Sequence, residues 1–194
     1  MSTSYNLLVI GAENSGKTSL IERYVNNRYK NTYNPTIEEC YTKKLVIDGQ
    51  KILVRIYEVI LLLVPLGYIE KMDCCIITYP ITNKHSFEKA KLLVNAIRSK
   101  RRNLKIVLIG TCLDQHYKRQ VSKSEAFNYA LDNNLSFYEL SSSVVESGIN
   151  KIFTIIINAL MVNKYRCIRK SETVQELPKP ERVPATRKRS MSFS

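Results

Sequence analysis

The sequence predicts an α/β fold with a mostly parallel six-stranded sheet, one antiparallel hairpin at its edge, and helices on both faces. Strand-like apolar runs alternate with amphipathic helical runs along most of the chain, and this alternation favours parallel strands joined by helical crossovers. One pair of β-rich runs is separated only by Asp48-Gly49, a dipeptide typical of tight hairpins. At 194 residues, 44% of them hydrophobic, the chain can bury one full core.

The first half of the chain begins with a strand that ends in a glycine-containing loop. Leu20, Ile21 and Val25 recur at helical spacing after this loop, whereas the polar stretch that follows contains a proline and is predicted to be a loop. The predicted elements are a strand at 5–10, a helix at 18–26, a loop at 28–39, hairpin strands at 40–47 and 51–57, and a buried strand at 74–79.

The second half continues the alternation. Ser122 and Glu125 have the spacing of a capping box, which indicates the start of a helix. The predicted elements are a helix at 86–100, a strand at 105–109 that stops at Gly110, a helix at 123–133, a strand at 136–140 and a helix at 148–163. Three prolines and few apolar residues after Lys170 indicate disorder. We therefore expect a domain at 1–165 and a basic, disordered tail at 166–194.

The stretch Gly11–Thr18, GAENSGKT, fits the phosphate-binding pattern G-x-x-x-x-G-K-[ST] between a predicted strand and a predicted helix. Its backbone N–H groups and the helix N-terminus would surround a phosphate. Lys17 would contact the outer phosphates, and the Thr18 hydroxyl would hold magnesium (Mg2+). The alternative is a helix-capping loop that contains Gly and Lys by chance. The remaining expected phosphate contacts are Gly11, Glu13, Asn14, Ser15 and Gly16.

The cysteines and the net charge indicate the redox compartment and the class of partner of the protein. Five cysteines, with no metal-ligand spacing and only two histidines, argue against a disulfide framework and favour a reducing, cytoplasmic setting. The N-terminus lacks the pattern of a signal peptide. The formal net charge is +13, and nine Lys or Arg face three Glu from Lys164 onward. Nucleic acid is a disfavoured partner because no recognition module accompanies the charge, which leaves a membrane surface or solubility.

With this phosphate loop, the stretch YNPTIEECY and the element order, the sequence resembles the Ras superfamily of small GTPases, and the Ras branch most closely, over residues 5–163. The resemblance implies a P-loop NTPase fold that binds GTP/GDP with Mg2+. Tyr33-Asn34-Pro35-Thr36-Ile37-Glu38 resembles the first switch, in which Thr36 would coordinate magnesium and sense the γ-phosphate. Tyr29 would stack on the guanine.

Base recognition is only partly retained. The resemblance aligns Thr111-Cys112-Leu113-Asp114 with the family's Asn-Lys-x-Asp, so that Asp114 would accept two hydrogen bonds from guanine. It also aligns Ser141-Ser142-Ser143 with Ser-Ala-Lys, in which the Ser142 N–H would meet the guanine oxygen. Thr111, Asp114, Ser141 and Ser142 are therefore the candidate base contacts. Both lysines of the family pattern are replaced, by Cys112 and Ser143, which weakens the expected affinity.

The second switch departs from the family pattern. Glu58 stands at its aspartate, Leu61 at its glycine and Leu62 at the glutamine that positions water. The apolar segment Val59–Leu66 is too short to cross a bilayer. Three interpretations remain: a strand extension or helix buried in the core, an exposed docking surface, or a mispredicted or alternatively spliced exon. Effectors would bind through Tyr33–Tyr41 and Val59–Leu66.

The sequence therefore predicts a Ras-like GTP-binding protein that acts as a signalling or docking module, with slow or absent hydrolysis. Glu13 replaces a family glycine and would obstruct an activating partner's arginine. The alternative is a pseudo-GTPase scaffold that binds partners without nucleotide. Met191–Ser194 carries no prenylation cysteine. We expect a cytoplasmic protein that contacts the inner face of the plasma membrane peripherally, through weak electrostatics.

Overall fold

A computed structural model describes residues 3–26, 38–60, 69–144 and 148–175. The chain divides into two compact units, Met1–Leu160 and Met161–Ser194. The strands are β1 (Thr3–Gly11), β2 (Glu38–Ile47), β3 (Gln50–Ile60), β4 (Cys74–Pro80), β5 (Lys105–Thr111) and β6 (Ser136–Glu139). The α-helices are α1 (Lys17–Asn26), α2 (Lys84–Lys100), α3 (Lys123–Asp132) and α4 (Ile149–Gln175), and a 3-10 helix spans Leu113–Lys118.

The six strands form one sheet in the order β2-β3-β1-β4-β5-β6. β2 and β3 pair antiparallel, and every other neighbouring pair is parallel. This confirms the predicted mixed sheet with a hairpin at its edge. The carboxyl ends of the parallel strands therefore lie along one edge of the sheet, which is where ligands bind in open α/β sheets.

The hairpin between β2 and β3 turns at the predicted dipeptide. Ile47 pairs with Gln50, and Asp48 and Gly49 adopt φ angles of 48° and 76°. Positive φ at both turn positions matches the right-handed twist of the flanking strands, and Asp-Gly adopts it at low cost. The local sequence is thus sufficient to fix the register of this pair.

The central strands are buried on both faces. All residues of β4 are buried, as is β5 apart from Lys105. Such strands appear in the sequence as continuous apolar runs because helices cover both sides of the sheet. One core cluster joins these strands to α2 and α3, and its members include Leu8, Ile10, Ile77, Phe87, Val94, Leu108 and Ala126.

Side-chain caps fix the starts of two helices. The Ser122 hydroxyl accepts a hydrogen bond from the Glu125 N–H at 3.1 Å, which confirms the predicted cap of α3. The Asn83 side chain accepts from the Ser86 N–H at 3.0 Å, so α2 begins at Lys84, two residues before the predicted start. Both side chains satisfy N–H groups that have no partner within the helix.

Several predicted boundaries were wrong, including the end of β5, the start of β2 and the end of α4. β5 does not stop at Gly110 but continues to Thr111, because Gly110 pairs with Glu139 of β6. β2 begins at Glu38, within the predicted loop. α4 continues to Gln175, so residues 166–175, the start of the tail predicted to be disordered, are helical. Residues 164–175 contain neither glycine nor proline, and nothing in this stretch stops the helix. Residues 176–194 lie outside the described residues.

Within the described part of the chain, no helix combines the length and apolar character needed to cross a membrane.

Candidate functional site

The phosphate-loop pattern lies between the carboxyl end of β1 and the amino end of α1. β1 ends at Gly11, and α1 begins at Lys17. The Leu20 N–H donates to the Gly16 carbonyl at 2.9 Å, so the first turn of α1 follows the loop directly. The strand, loop and helix start are therefore arranged as the sequence predicted, at the edge of the sheet where ligands bind.

The loop packs tightly against β4. A Cβ at Gly11 would lie 2.5 Å from both the Ser15 Oγ and the Thr78 carbonyl oxygen, so only glycine fits there. Ser15 is fully buried, and its hydroxyl shares a hydrogen bond of 2.8 Å with that of Thr78. The Ser15 side chain therefore holds the loop from the sheet side. Asn14 adopts φ 56°, a conformation that asparagine tolerates better than most residues.

Lys17 is a buried cation within this loop. Its side chain is 3% exposed, and its ammonium donates to the Ala12 carbonyl at 3.0 Å and the Gly11 carbonyl at 3.4 Å. Burial lowers the pKa of Lys17, while the carboxylates of Glu58 and Glu13 oppose that decrease. A desolvated ammonium gains more from an anion than an exposed one would, because the local dielectric is low. This arrangement fits a bound phosphate.

The Thr18 hydroxyl faces the substituted second-switch position. It donates a hydrogen bond of 2.6 Å to the Glu58 carboxylate, which lies on β3 and is 8% exposed. A hydroxyl and a carboxylate are the oxygen ligands that magnesium prefers, so these two residues fit Mg2+. In the described part of the chain no three His, Cys, Asp or Glu residues cluster as a metal site. The remaining ligands would therefore come from phosphate and Thr36.

Asp114 lines a surface depression beside the serine triplet Ser141-Ser142-Ser143. The Leu113 N–H donates to the Leu140 carbonyl at 3.2 Å and holds the two loops side by side. The Ser141 hydroxyl donates to the Asp114 carboxylate, and the Ser143 hydroxyl lies 2.7 Å from that of Ser141. The predicted base contacts are thus brought together. The lining residues are Gly16, Ser19, Thr111, Cys112, Asp114, Gln115, Ser141, Ser142 and Ser143.

Thr111 connects the two loops. It is 2% exposed, and its hydroxyl contacts the Ser15 carbonyl at 3.0 Å and the Tyr79 carbonyl at 3.2 Å. These partners are backbone atoms of the phosphate loop and of β4. The hydroxyl therefore holds the loop that contains Asp114 against the phosphate loop. Because it is already bonded to these backbone atoms, Thr111 would position the base-binding loop and would not itself hydrogen-bond to the base.

Arg23 is a site residue that sequence reasoning missed. Its Nε donates to the Ser142 carbonyl at 2.9 Å, and its Nη2 donates to the Ser143 carbonyl at 3.4 Å. It thereby ties the serine loop to α1. A sequence signal existed, since Arg23 follows Leu20 by three residues on the buried side of the helix, where a charged residue needs a partner.

Cys112 lies where the two depressions meet. The phosphate-loop depression is lined by Asn14–Ser19 and Cys112, so it shares Gly16, Ser19 and Cys112 with the base depression. Burial raises the pKa of Cys112, the nearby Asp114 adds to that rise, and a hydrogen bond with Thr111 opposes it. The thiol is therefore neutral at physiological pH, where the family pattern has a lysine.

Several predicted site residues lie outside the described residues, namely Tyr29, Tyr33, Thr36, Leu61, Leu62 and the rest of 61–66. The described ends of the two predicted effector segments are both strands. Val59 and Ile60 extend β3, and Val59 is 3% exposed within the core cluster. Val59, the first residue of the apolar segment, thus matches the buried strand extension and not a docking surface. Residues 38–41 belong to β2.

Comparison with known proteins identifies a matching family and related sequences. Residues 6–162 match the Ras family. The chain is 28% identical over 155 residues to "Ras-like protein family member 12" of Danio rerio, covering 76% of this chain and 61% of that protein. It is 28% identical over 175 residues to the "Ras-related and estrogen-regulated growth inhibitor-like protein" of Bos taurus (81% and 83%). It is 28% identical over 192 residues to "Ras-related protein R-Ras" of Mus musculus (96% and 83%).

Proposed function

The chain belongs to the Ras family of small GTP-binding proteins, and we propose that it binds GTP or GDP with Mg2+ as a signalling or docking module whose hydrolysis is slow or absent. One observation carries the proposal. The loop that holds Lys17 and the loop that holds Asp114 line depressions that meet at Gly16, Ser19 and Cys112. A ligand with phosphates at one end and a base at the other fits this arrangement.

The phosphate end would be bound by charge and by backbone N–H groups. The buried ammonium of Lys17 would contact the outer phosphates, and the start of α1 would direct N–H groups at them. Thr18 and Glu58 would hold Mg2+, with Thr36 as the family resemblance implies. Magnesium held there would neutralise part of the phosphate charge. The protein's contribution is to fix these oxygen ligands beside Lys17.

Asp114 would recognise the guanine base of the nucleotide. Its carboxylate is oriented by the Ser141 hydroxyl and can accept hydrogen bonds from guanine N–H groups. Adenine does not present the same pair of donors, so guanine is preferred. Tyr29 would stack on the ring. We expect weaker discrimination than in Ras, because the neutral side chains of Cys112 and Ser143 replace two lysines.

Hydrolysis is proposed to be slow because water has no positioning group. Leucine at position 62 cannot orient water, and a side chain at Leu61 restricts the approach of the backbone to phosphate. Glu13 is exposed on the phosphate loop, where its carboxylate would repel phosphate charge and obstruct an incoming arginine. Lys17 and Mg2+ alone would leave only the electrostatic part of catalysis.

A scaffold that binds partners without nucleotide is the second candidate. It is favoured by the base depression, in which a neutral thiol and a serine hydroxyl stand where the family has two lysines. In that case β2, an edge strand of the sheet, would present the partner surface.

Nucleotide content separates these two candidates. The purified, undenatured protein should contain guanine nucleotide, and calorimetry should detect GDP binding that depends on Mg2+. Lys17→Ala should abolish this binding, whereas the exposed Lys123→Ala should not change it. Absence of binding to the wild type at millimolar GDP would favour the scaffold.

We also propose that the basic C-terminal sequence places the protein at an anionic membrane. Five Lys or Arg and two Glu lie after Gln175, and each cation near an anionic leaflet contributes about 1 kcal/mol. The association should be weak and salt-sensitive. A chain ending at Gln175 should bind anionic vesicles less tightly than the full chain. Unchanged binding would rule out the tail as an anchor.

A further inference from the structure

A cluster of cations lies at the edge of the sheet opposite the nucleotide site. Residues 98–105 comprise the end of α2, the connection that follows it and the first residue of β5; they read RSKRRNLK and carry five Lys or Arg. Lys71 precedes β4 at the same edge, because β4 and β5 are parallel and Cys74 pairs with Lys105. We call these residues the basic edge: Lys71, Arg98, Lys100, Arg101, Arg102 and Lys105.

Hydrogen bonds hold the basic edge together. Arg101 Nη1 donates to the carbonyls of Ile69 and Glu70 at 3.1 Å each, and also to that of Met72. This places the α2–β5 connection beside the segment that contains Lys71. The Asn6 side chain donates to the Lys71 carbonyl at 3.1 Å, which ties that segment to β1. These hydrogen bonds therefore hold in place the backbone segments that carry the cations.

A similar bond fixes the connection itself. Arg98 Nη1 donates to the carbonyls of Arg102 and Leu104 at 2.6 and 2.7 Å. The turn between α2 and β5 is thus closed by a side chain from within the cluster. Lys105 donates to the Ser136 hydroxyl at 3.3 Å at the start of β5.

The charges of the basic edge are not neutralised by the protein. Three of its cations bond to carbonyls or a hydroxyl, and none of the six pairs with a carboxylate in the described part of the chain. The acidic residues beside it are Glu70 and Asp73, and the Asp73 carboxylate accepts from the Asn6 N–H at 2.8 Å. Six cations against two carboxylates leave an excess of positive charge on this surface. The cations repel one another, and the surface as a whole attracts an anionic partner.

We propose that the basic edge docks the folded domain onto a membrane that contains anionic lipids. Lys71, Lys100 and Arg102 are exposed and free to reach lipid headgroups. A membrane requires a local density of cations without a fixed ligand geometry. Duplex or single-stranded nucleic acid fits less well, because residues 98–105 include no aromatic side chain for stacking and no recognition module.

This surface is distinct from the proposed nucleotide site. The basic edge lies at the amino ends of the parallel strands, whereas the phosphate loop lies at their carboxyl ends. Docking through this edge therefore keeps the nucleotide site accessible to solvent. The proposal does not depend on whether nucleotide is bound.

The test neutralises the three exposed cations in the full chain. The variant Lys71→Gln, Lys100→Gln, Arg102→Gln is compared with Lys118→Gln, Lys123→Gln, Lys151→Gln, which loses the same charge from exposed positions elsewhere. Binding is measured by co-sedimentation with phosphatidylcholine vesicles with and without phosphatidylserine. The first variant should bind phosphatidylserine vesicles on the order of 100-fold more weakly than wild type, from roughly fivefold per cation. The second should lose much less.

Four results bear on the proposal. Equal losses in the two variants would overturn it, since binding would then follow net charge alone. Absence of wild-type binding, or equal binding to vesicles without phosphatidylserine, would also overturn it. A short duplex DNA is tested in parallel, and a specific loss of DNA binding with vesicle binding retained would identify nucleic acid as the partner instead. Calorimetry with GDP on the same variants keeps this outcome separate from the nucleotide-binding proposal.

Discussion

The Thr18 hydroxyl donates a 2.6 Å hydrogen bond to the Glu58 carboxylate, which joins the start of α1 to β3 at the proposed magnesium site. Glu58 therefore reaches Thr18 although it replaces the shorter aspartate of the family pattern. The substitution therefore retains a carboxylate beside the Thr18 hydroxyl, at the proposed magnesium site. Whether this carboxylate supports metal binding can be measured directly.

Glu58→Gln should weaken the magnesium dependence of nucleotide retention. Removing the charge next to Thr18 should raise the Mg2+ concentration needed for half-maximal retention by about 10- to 100-fold, the range for residues that orient metal ligands. Release of a fluorescent GDP is followed while MgCl2 is varied. Glu58→Asp keeps the carboxylate and should change the midpoint much less. Identical midpoints for the glutamine variant and wild type would show that Glu58 has no part in the metal site.

Arg23→Met should reduce the preference for guanine. The substitution keeps the apolar stem but removes the donors to the Ser142 and Ser143 carbonyls, so the serine loop is no longer tied to α1. Charge-assisted bonds contribute about 1.5–3 kcal/mol, and the ratio of GDP to ADP affinity should fall roughly tenfold. Competition against fluorescent GDP gives this ratio. A loss of stability with an unchanged ratio would indicate a purely structural role.

Hydrolysis should stay at or below the unassisted rate of Ras itself, which is on the order of 10⁻⁴ per second. Lys17 and Thr18 retain electrostatic stabilisation, but the water-positioning side chain is absent at Leu62. Leu62→Gln alone should not restore activity, because Leu61 remains at the position of the family's glycine. Single-turnover hydrolysis of bound GTP measures both proteins. A rate near one per second would reveal a catalytic group outside those described here.

Tyr24→Phe should stabilise the protein slightly. The Tyr24 ring stacks on Phe153 at 3.8 Å, but its buried hydroxyl has no hydrogen-bond partner among the described residues. Phenylalanine keeps the stack and removes the desolvated hydroxyl, which should raise the free energy of unfolding by about 1 kcal/mol at neutral pH. Denaturant unfolding measures the difference. A clear decrease in stability would mean that the hydroxyl has a partner after all.

The same variant should flatten the alkaline end of the stability profile. Burial raises the pKa of Tyr24 from 10.0 to about 12, so the unfolded chain ionises first and is stabilised relative to the folded chain as pH rises. The Tyr24 contribution is therefore complete below pH 10 and is lost between pH 10 and about 12. Wild type should lose about 2 kcal/mol more than Tyr24→Phe over this range. Parallel pH profiles for the two proteins would contradict this assignment.

The sequence by itself determined the features that depend on neighbouring residues. The Asp48-Gly49 turn and the Ser122 cap were predicted because each depends on a short local pattern. The phosphate loop was predictable for the same reason, since a strand end, a loop and a helix start follow one another in the chain. The order of strands and helices then implied a mixed sheet, which the structure confirms.

Only the tertiary structure decided which distant side chains meet. The Arg23 contact to the Ser142 carbonyl, the Thr111 link to Ser15 and the hydrogen bonds that hold the basic edge each join residues far apart in sequence. Their partners are mostly backbone carbonyls. Every residue has one, so the residue type does not show which carbonyl will accept a hydrogen bond. Local propensity fixes the elements, whereas packing of the sheet and its helices brings the two loops of the proposed nucleotide site together.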